Sequence, residues 1–376
     1  MTDVVIVGAG PVGLFMGVLL LRRGHRIRIL ERRQGRSDNT RAIGIHPPAL
    51  KELHRAGLAE PLMQAGVRIR KGVAYSRGRK VAELPFHGDA EFPFILAVPQ
   101  PVTEHVLEQA VLALDPDSIV RGADVQGFDD DGVSVRVAAS SPSEEIALGC
   151  RLLVAADGAH SMIRRQLLPC LPARSYPDSY LMGDFTDSTR HGRDAILYLE
   201  PDGIVESFPL PGGVRRWVAR LGAPDKGSTA AGLAALVGAR TGEVLDAHSN
   251  TMLSSFSVRS RLAGRMIHGR TVLLGDAAHE ISPIGGQGMN LGWLDAAALV
   301  PLIDGYLKGR CVGRELRAFE KNRRTAASRA SLQAGLNMAL GRPLPPVLMS
   351  LRNDLFTHVL KATSVSDFVE KRFTMR

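Results

Sequence analysis

The sequence predicts an α/β protein: a Rossmann-type dinucleotide-binding sheet, interrupted by a β-rich insertion and followed by helices. Three observations predict it. A βαβ unit opens the chain, with strand Val4 to Val7, the turn Gly8-Ala9-Gly10-Pro11-Val12-Gly13, a helix to about Arg23, a Gly24 stop and a strand from Arg26 to Glu31. A second apolar strand, from Arg151 to Ala156, ends at Asp157-Gly158, and a third, Arg270 to Leu274, ends at Gly275-Asp276. Each stops abruptly at an acid, as buried parallel strands do at the carboxyl edge where ligands bind.

The first turn fits GxGxxG. Gly8 permits the tight turn, Gly10 lets the backbone approach a pyrophosphate, and Gly13 lets helix and strand pack closely. The helix start then faces the phosphates with its partial positive charge. Glu31, 23 residues after Gly8, ends the second strand where a carboxylate can accept both hydroxyls of an adenosine ribose. GxGxxG alone is a weak signal; with a strand before it, a helix after it and an acid at this distance, it specifies an adenine dinucleotide.

Between Val73 and Phe94 the pattern changes to short mixed segments punctuated by Gly78, Pro85, Gly88 and Pro93, which read as strands leaving the first domain. A helix follows from Pro101 to Leu114, and two strands between Val120 and Val137 flank the turn Asp130-Asp131-Gly132. Ala159 to Leu168 is a helical turn carrying Ser161 and Arg164. From about Ser175 to Ser260 the chain is β-rich, including Ala195 to Leu199, Ile204 to Pro209 and Arg215 to Leu221, with a helix near Ala230 to Ala239. Leu291 to Arg376 is largely helical, broken at Gly341-Arg342-Pro343-Leu344-Pro345-Pro346. The expected division is a nucleotide domain from residues 1–72, 98–174 and 261–330, a substrate-binding sheet from 73–97 and 175–260, and C-terminal helices over 331–376.

The bulk numbers narrow the function class. The 376 residues exceed a single core, and 45% hydrophobic with 23% charged residues is ordinary for a globular enzyme. The net charge of +9 is spread along the chain without an aromatic-interleaved basic block, which argues against a nucleic-acid track and suits anionic ligands. Three cysteines without CxxC or ligand spacing predict neither disulfides nor a metal site. With no signal-peptide pattern and no apolar run long enough to span a bilayer, the expectation is a cytoplasmic protein, monomer or homodimer.

The segment GDAAHEISPIGGQGMNLG is the most informative. Asp276 can accept two hydroxyl hydrogen bonds from a sugar-alcohol chain, and the N–H groups of Gly286 to Asn290 at a helix start can stabilise negative charge on a ring. Gly285, Gly286 and Gly288 leave space for that ring. In isolation Asp276 also suits a helix N-cap.

Together GAGPVG with Glu31, DGAHSMIR (Asp157 to Arg164) and the GD segment resemble the single-component (class A) FAD-dependent aromatic monooxygenases of the para-hydroxybenzoate hydroxylase-like family, nearest in character to the phenol and aromatic polyketide hydroxylases. The resemblance covers residues 1 to about 320 and implies a GR2-like FAD domain, FAD as cofactor and NAD(P)H as co-substrate. It implies FAD contacts from Gly8, Gly10, Pro11, Val12, Gly13, Glu31, Arg32, Arg41 near the pyrophosphate, Gln100 near the flavin, Asp157, Gly158, Arg164, Gly275, Asp276, Gly288, Met289 and Asn290, with Pro283 and Gly286 nearest the reacting centre. The implied chemistry is reduction of FAD, O2 addition at flavin C4a and delivery of oxygen from the hydroperoxide, so His279, His46 and His191 are assigned no acid–base role. The Ser-x-Arg pair with which the family's namesake grips a carboxylate falls on Phe208 and Leu210, which argues for a larger, more apolar, polyketide-like ring. Tyr198, Phe208, Leu210 and Trp217 are the candidate lining residues, with core packing an equal reading for each. Alternatives sharing these motifs are a flavoprotein reductase, epoxidase or Baeyer–Villiger oxygenase, and a non-catalytic FAD-binding scaffold.

Overall fold

Five parallel strands form one frame, in the order Thr271–Leu273, Glu145–Ala155, Thr2–Val7, Ile27–Glu31 and Ile119–Arg121, with Ile267–His268 antiparallel at one edge. The computed structural model describes residues 2–35, 42–87, 89, 91–142, 144–223, 227–359, 369–371 and 374–375. Strands as far apart in sequence as Thr2–Val7 and Glu145–Ala155 pair because both are apolar on both faces: Val4, Val5, Ile6, Leu153 and Val154 have no exposed surface. Helices Pro11–Leu21, Gln100–Leu114 and Gln287–Leu307 pack with this sheet in one core, where Phe15 meets Trp293 edge-on at 6.4 Å. The first part of Glu145–Ala155 leaves the frame to pair with Val135–Ser140, itself paired with Asp124–Asp130. That is the hairpin signalled by Asp130-Asp131-Gly132.

A second sheet runs His279–Glu280, Met252–Leu262, Arg174–Thr186, Val214–Leu221, Val205–Leu210, Ala195–Tyr198, Lys71–Ser76 and Arg79–Pro85. Its side chains alternate between two faces. One face carries Leu181, Phe185, Ile196, Tyr198 and Trp217 and is covered by helix Ala230–Thr241 through Leu233 and Val237. The other carries Met182, Leu197, Phe208 and Val218 and looks toward the parallel sheet's ligand edge. Strand His279–Glu280 follows the Gly275-Asp276 turn directly and pairs with Arg261 and Leu262, so the end of the parallel sheet is stitched into the second sheet.

Gly44–Ile45, Ile95–Ala97 and Val67–Ile69 form a small antiparallel sheet. Helices Pro47–Arg55 and Ala59–Gln64, each only two or three turns long, stand where the sequence pattern predicts no element. The C-terminal helices are Gly313–Leu340 and Pro346–Val359, parted at the expected break. No helix among the described residues is long and apolar enough to cross a membrane.

Candidate active site

The carboxyl edge of the parallel sheet opens into a cavity of about 1160 Å³, above the ~300–1,000 Å³ of common ligand pockets. Of the sequence-predicted residues, Gly8, Gly10, Pro11, Val12, Glu31, Arg32, Gln100, Asp157, Gly158, Asp276, Pro283, Gly286, Gly288, Met289 and Phe208 line it. Residues from all three strand ends are thus brought into one space.

At the first strand end, Glu31 is 5% exposed and its Oε2 accepts the Ala9 N–H at 2.8 Å. Its Oε1 accepts the Arg33 N–H at 3.0 Å and Arg33 Nε at 2.8 Å. Burial alone raises the Glu31 pKa, but Arg33 and the two backbone donors outweigh it and hold the carboxyl below its ordinary value. The carboxylate is therefore ionised and fixed at the cavity wall. The glycines of the turn divide by role. A Cβ at Gly13 would lie 2.0 Å from the Gly8 carbonyl oxygen and one at Gly8, where φ is +103°, 2.4 Å from the Ala156 oxygen, whereas one at Gly10 would meet nothing within 4 Å. Gly8 and Gly13 serve the fold; Gly10 keeps open the cavity beside the helix start.

These positions give a paired prediction. Gly13→Ala is expected to lower stability by roughly 1–3 kcal/mol or more through overpacking. Gly10→Ala is expected to change the flavin-free protein by no more than about 1 kcal/mol while still weakening FAD retention. Urea unfolding and flavin content of both variants check it, and equal flavin content in Gly10→Ala and wild type would contradict it.

At the second strand end, Asp157 Oδ2 accepts the Met162 N–H at 2.8 Å, while Oδ1 is buried with no partner among the described residues. Arg164, 4% exposed, ties this turn to the third: Nη1 donates to the Asp276 carbonyl at 3.1 Å and Nη2 to the Ala159 carbonyl at 2.6 Å.

At the third strand end, the Asp276 side chain is exposed at the cavity. The dense protein around it raises its pKa, which the nearby His279 and Arg164 offset only in part. Behind it, His279 Nε2 and Arg323 Nε both reach Asp295, at 2.5 Å each, with Asp295 and His279 fully or almost fully buried. Burial opposes the His279 imidazolium, but Asp295 and Asp276 outweigh it and raise its pKa; the same pairing lowers Asp295. His279 is accordingly a structural hydrogen-bonding residue. Gly285 and Gly286 take φ of +94° and +65°, and helix Gln287–Leu307 starts without a side-chain cap, so its first N–H groups remain available at the cavity.

The structure places several of the expected residues away from the cavity wall. Gly13, Gly275, Arg164 and Asn290 do not line the cavity. Asn290, with no exposed surface, donates to the Gly44 and Gly286 carbonyls at 2.9 and 2.7 Å and accepts the His46 N–H at 2.9 Å, clamping the turn against the neighbouring strand. Tyr198 and Trp217 do not line it either. They stack at 6.2 Å on the helix-covered face, and Tyr198 donates to Glu243 at 2.9 Å. The pleat puts their neighbours Leu197, Arg216 and Val218 on the cavity side instead. Leu210 packs behind the wall with Phe86 and Ile95. Arg216 is buried and held by Asp184 through two parallel bonds of 2.7 Å. Arg41 lies outside the described residues.

Sequence reasoning missed Arg33, Glu104, Glu206, Gln333 and Asn337, all at the cavity. Strand alternation would have signalled Glu206 had its face been known, because it shares parity with Phe208. Gln333 and Asn337 come from a helix whose docking no local pattern reveals.

The unpaired Asp157 oxygen, the Asp276 carboxyl exposed at the cavity, the bare approach at Gly10 and the uncapped helix start at Gly286 are acceptors and donors suited to a polyhydroxylated dinucleotide with an anionic ring. The residues present fit FAD. Comparison with known proteins agrees: residues 1–334 match the model of the FAD binding domain family. The chain is 31% identical over 341 residues to 12-dehydrotetracycline 5-monooxygenase/anhydrotetracycline 6-monooxygenase of Streptomyces rimosus, covering 87% of this chain and 67% of that one. Among solved structures it is similar to anhydrotetracycline hydroxylase from Streptomyces rimosus, with a TM-score of 0.82, 28% identity and coverage of 100% and 76%. It is also similar to p-nitrophenol 4-monooxygenase from Pseudomonas putida, with a TM-score of 0.89, 25% identity and coverage of 100% and 98%. The chain belongs to the FAD binding domain family that includes these aromatic monooxygenases.

Proposed function

We propose that this protein, an FAD-dependent monooxygenase, uses NAD(P)H and O2 to hydroxylate an apolar, polycyclic or polyketide-like aromatic substrate. The observation that carries the substrate reading is the cavity itself. It runs from the Glu31 cradle to the second sheet, where Met182, Leu197, Phe208, Val218 and Phe256 offer a broad nonpolar wall. The cationic fork on that wall, Arg216, already holds Asp184, which leaves a substrate carboxylate a poor fit. Relatives named for anhydrotetracycline and p-nitrophenol support the same class.

In this reading Glu31 takes the adenosine ribose, the turn Gly8 to Gly13 and the following helix start take the pyrophosphate, with Arg32 and Arg33 alongside, and Asp157 supplies an acceptor between. Asp276 takes the ribityl hydroxyls, and Pro283 to Met289 lie along the ring, where the helix N–H groups favour negative charge. Bound FAD, reduced by NAD(P)H, supplies the activated oxygen. The apolar wall keeps bulk water from that centre and orients the substrate ring. Segments 1–72, 98–174 and 261–330 would hold the cofactor and 73–97 with 175–260 the substrate, the helices after 330 closing the cavity through Gln333 and Asn337. A cytoplasmic monomer or homodimer suits a user of NAD(P)H whose three cysteines are free.

The test measures NADPH and NADH consumption, uptake of labelled O2 and product mass against a panel of phenols and hydroxylated polycyclic rings. Ring-stimulated consumption with one labelled oxygen atom in the product is expected. Reduction of a double bond without O2 uptake, or a colourless protein that takes up no FAD, would overturn the reading.

A further inference from the structure

We propose that Glu206 is the substrate-contacting acid–base residue of the cavity, taking the proton of a ring hydroxyl onto its carboxylate before oxygen transfer and returning it afterwards. The inference rests on the proposed function. Across the second sheet Met182 stands opposite Val218, Val218 opposite Glu206, Glu206 opposite Leu197 and Leu197 opposite Ala74. All five line the cavity, and Glu206 is the one polar member of that row. It is 8% exposed, and among the described residues it has no hydrogen-bond donor and no counter-charge. A carboxyl so placed opposes folding, since an aliphatic side chain would complete the row at less cost. A group that the fold does not use, at the wall where the ring must lie, is a functional candidate.

The neighbouring groups are committed elsewhere. Arg216 pairs with Asp184, while Arg220 donates to Asp178, which also takes Arg342. The Tyr180 hydroxyl is buried without a partner among the described residues, and burial together with Glu206 and Asp178 pushes it further from ionising. Strand Ala195–Tyr198 presents Leu197 and Ala195 to the cavity, and helix Gly313–Leu340 presents Gln333, Asn337 and Leu340. None of these titrates. Burial alone raises Glu206 to about 7, where both forms are populated at working pH, the condition for efficient proton transfer. The step balances without any further reactant: carboxylate plus ring hydroxyl gives carboxylic acid plus ring oxyanion, whose electron density at the ring favours attack on an electrophilic oxygen.

The test uses the FAD-loaded full chain as wild type, Glu206→Gln and Glu206→Leu. kcat/KM for hydroxylation of 2-naphthol and anhydrotetracycline is followed between about pH 5 and 9, and binding of 2-naphthol and its methyl ether is read from the flavin absorbance. Wild-type kcat/KM is expected to fall as pH drops through about 7. Both variants should lose about 10²-fold or more at pH 8 together with that acidic limb, bind the methyl ether as wild type does, and keep their FAD. Glu206→Leu should also melt no lower than wild type, which separates a lost proton acceptor from a damaged fold. If oxygenated product forms and Glu206→Gln keeps the wild-type rate and pH profile, the inference is overturned alone. If wild type forms no oxygenated product from any ring of the panel, the proposed function falls and takes the inference with it.

Discussion

Replacing Asp295 by alanine is expected to destabilise the protein by about 3 kcal/mol, because it strands the buried His279 and takes the partner of the half-buried Arg323. His279 and Arg323 converge on this one carboxylate, and no part of Asp295 reaches solvent. The loss should depend on pH. His279 has a raised pKa in the fold, so its contribution is complete below its ordinary 6.5 and disappears as pH rises through the raised value. Asp295 has a lowered pKa, so its contribution is complete above its ordinary 3.8 and disappears as pH falls through the lowered value. The difference between variant and wild type is therefore largest between pH 3.8 and 6.5 and narrows on either side. Denaturant unfolding at several pH values reads it directly; a difference that does not vary with pH would mean the triad is not ionised as described. Because His279 lies three residues after Asp276, FAD retention should fall as well.

Asp276→Ala is expected to have the opposite signature. Its side chain is exposed at the cavity, so removing it is expected to leave the stability of the flavin-free fold little changed. Bound FAD would lose two hydrogen bonds to a charged acceptor, worth about 1.5–3 kcal/mol each, or roughly 10²–10⁴-fold in Kd. Flavin content after gel filtration and a fluorescence titration measure this. Unchanged content would remove Asp276 from the cofactor site. The two aspartates, 19 residues apart, thus separate a residue that holds the turn from one that faces the cavity.

Much of the nucleotide half was legible because its signals are local. Gly8 takes a φ of +103° and a Cβ at Gly13 would lie 2.0 Å from the Gly8 carbonyl oxygen, steric reasons fixed within one turn. The strands ending at Glu31, Ala155 and Leu273 are apolar on both faces, which marks them as parallel and central wherever they fall in the chain. Family membership and FAD followed from the same three strand ends.

The substrate half was less legible, and the reason is geometric. In an antiparallel sheet covered by a helix on one face and a cavity on the other, both faces read as apolar. Tyr198 and Trp217 therefore look like lining residues until helix Ala230–Thr241 is seen to cover them. The sequence by itself determined the cofactor, the fold class and the turns at the carboxyl edge of the parallel sheet, since backbone sterics and strand patterning act over a few residues. Only the tertiary structure decided which pleat faces the cavity, that Asn290 and Arg164 are clamps, and that Glu206 is the one polar member of an apolar cross-strand row. Those facts depend on how segments far apart in the chain pack together.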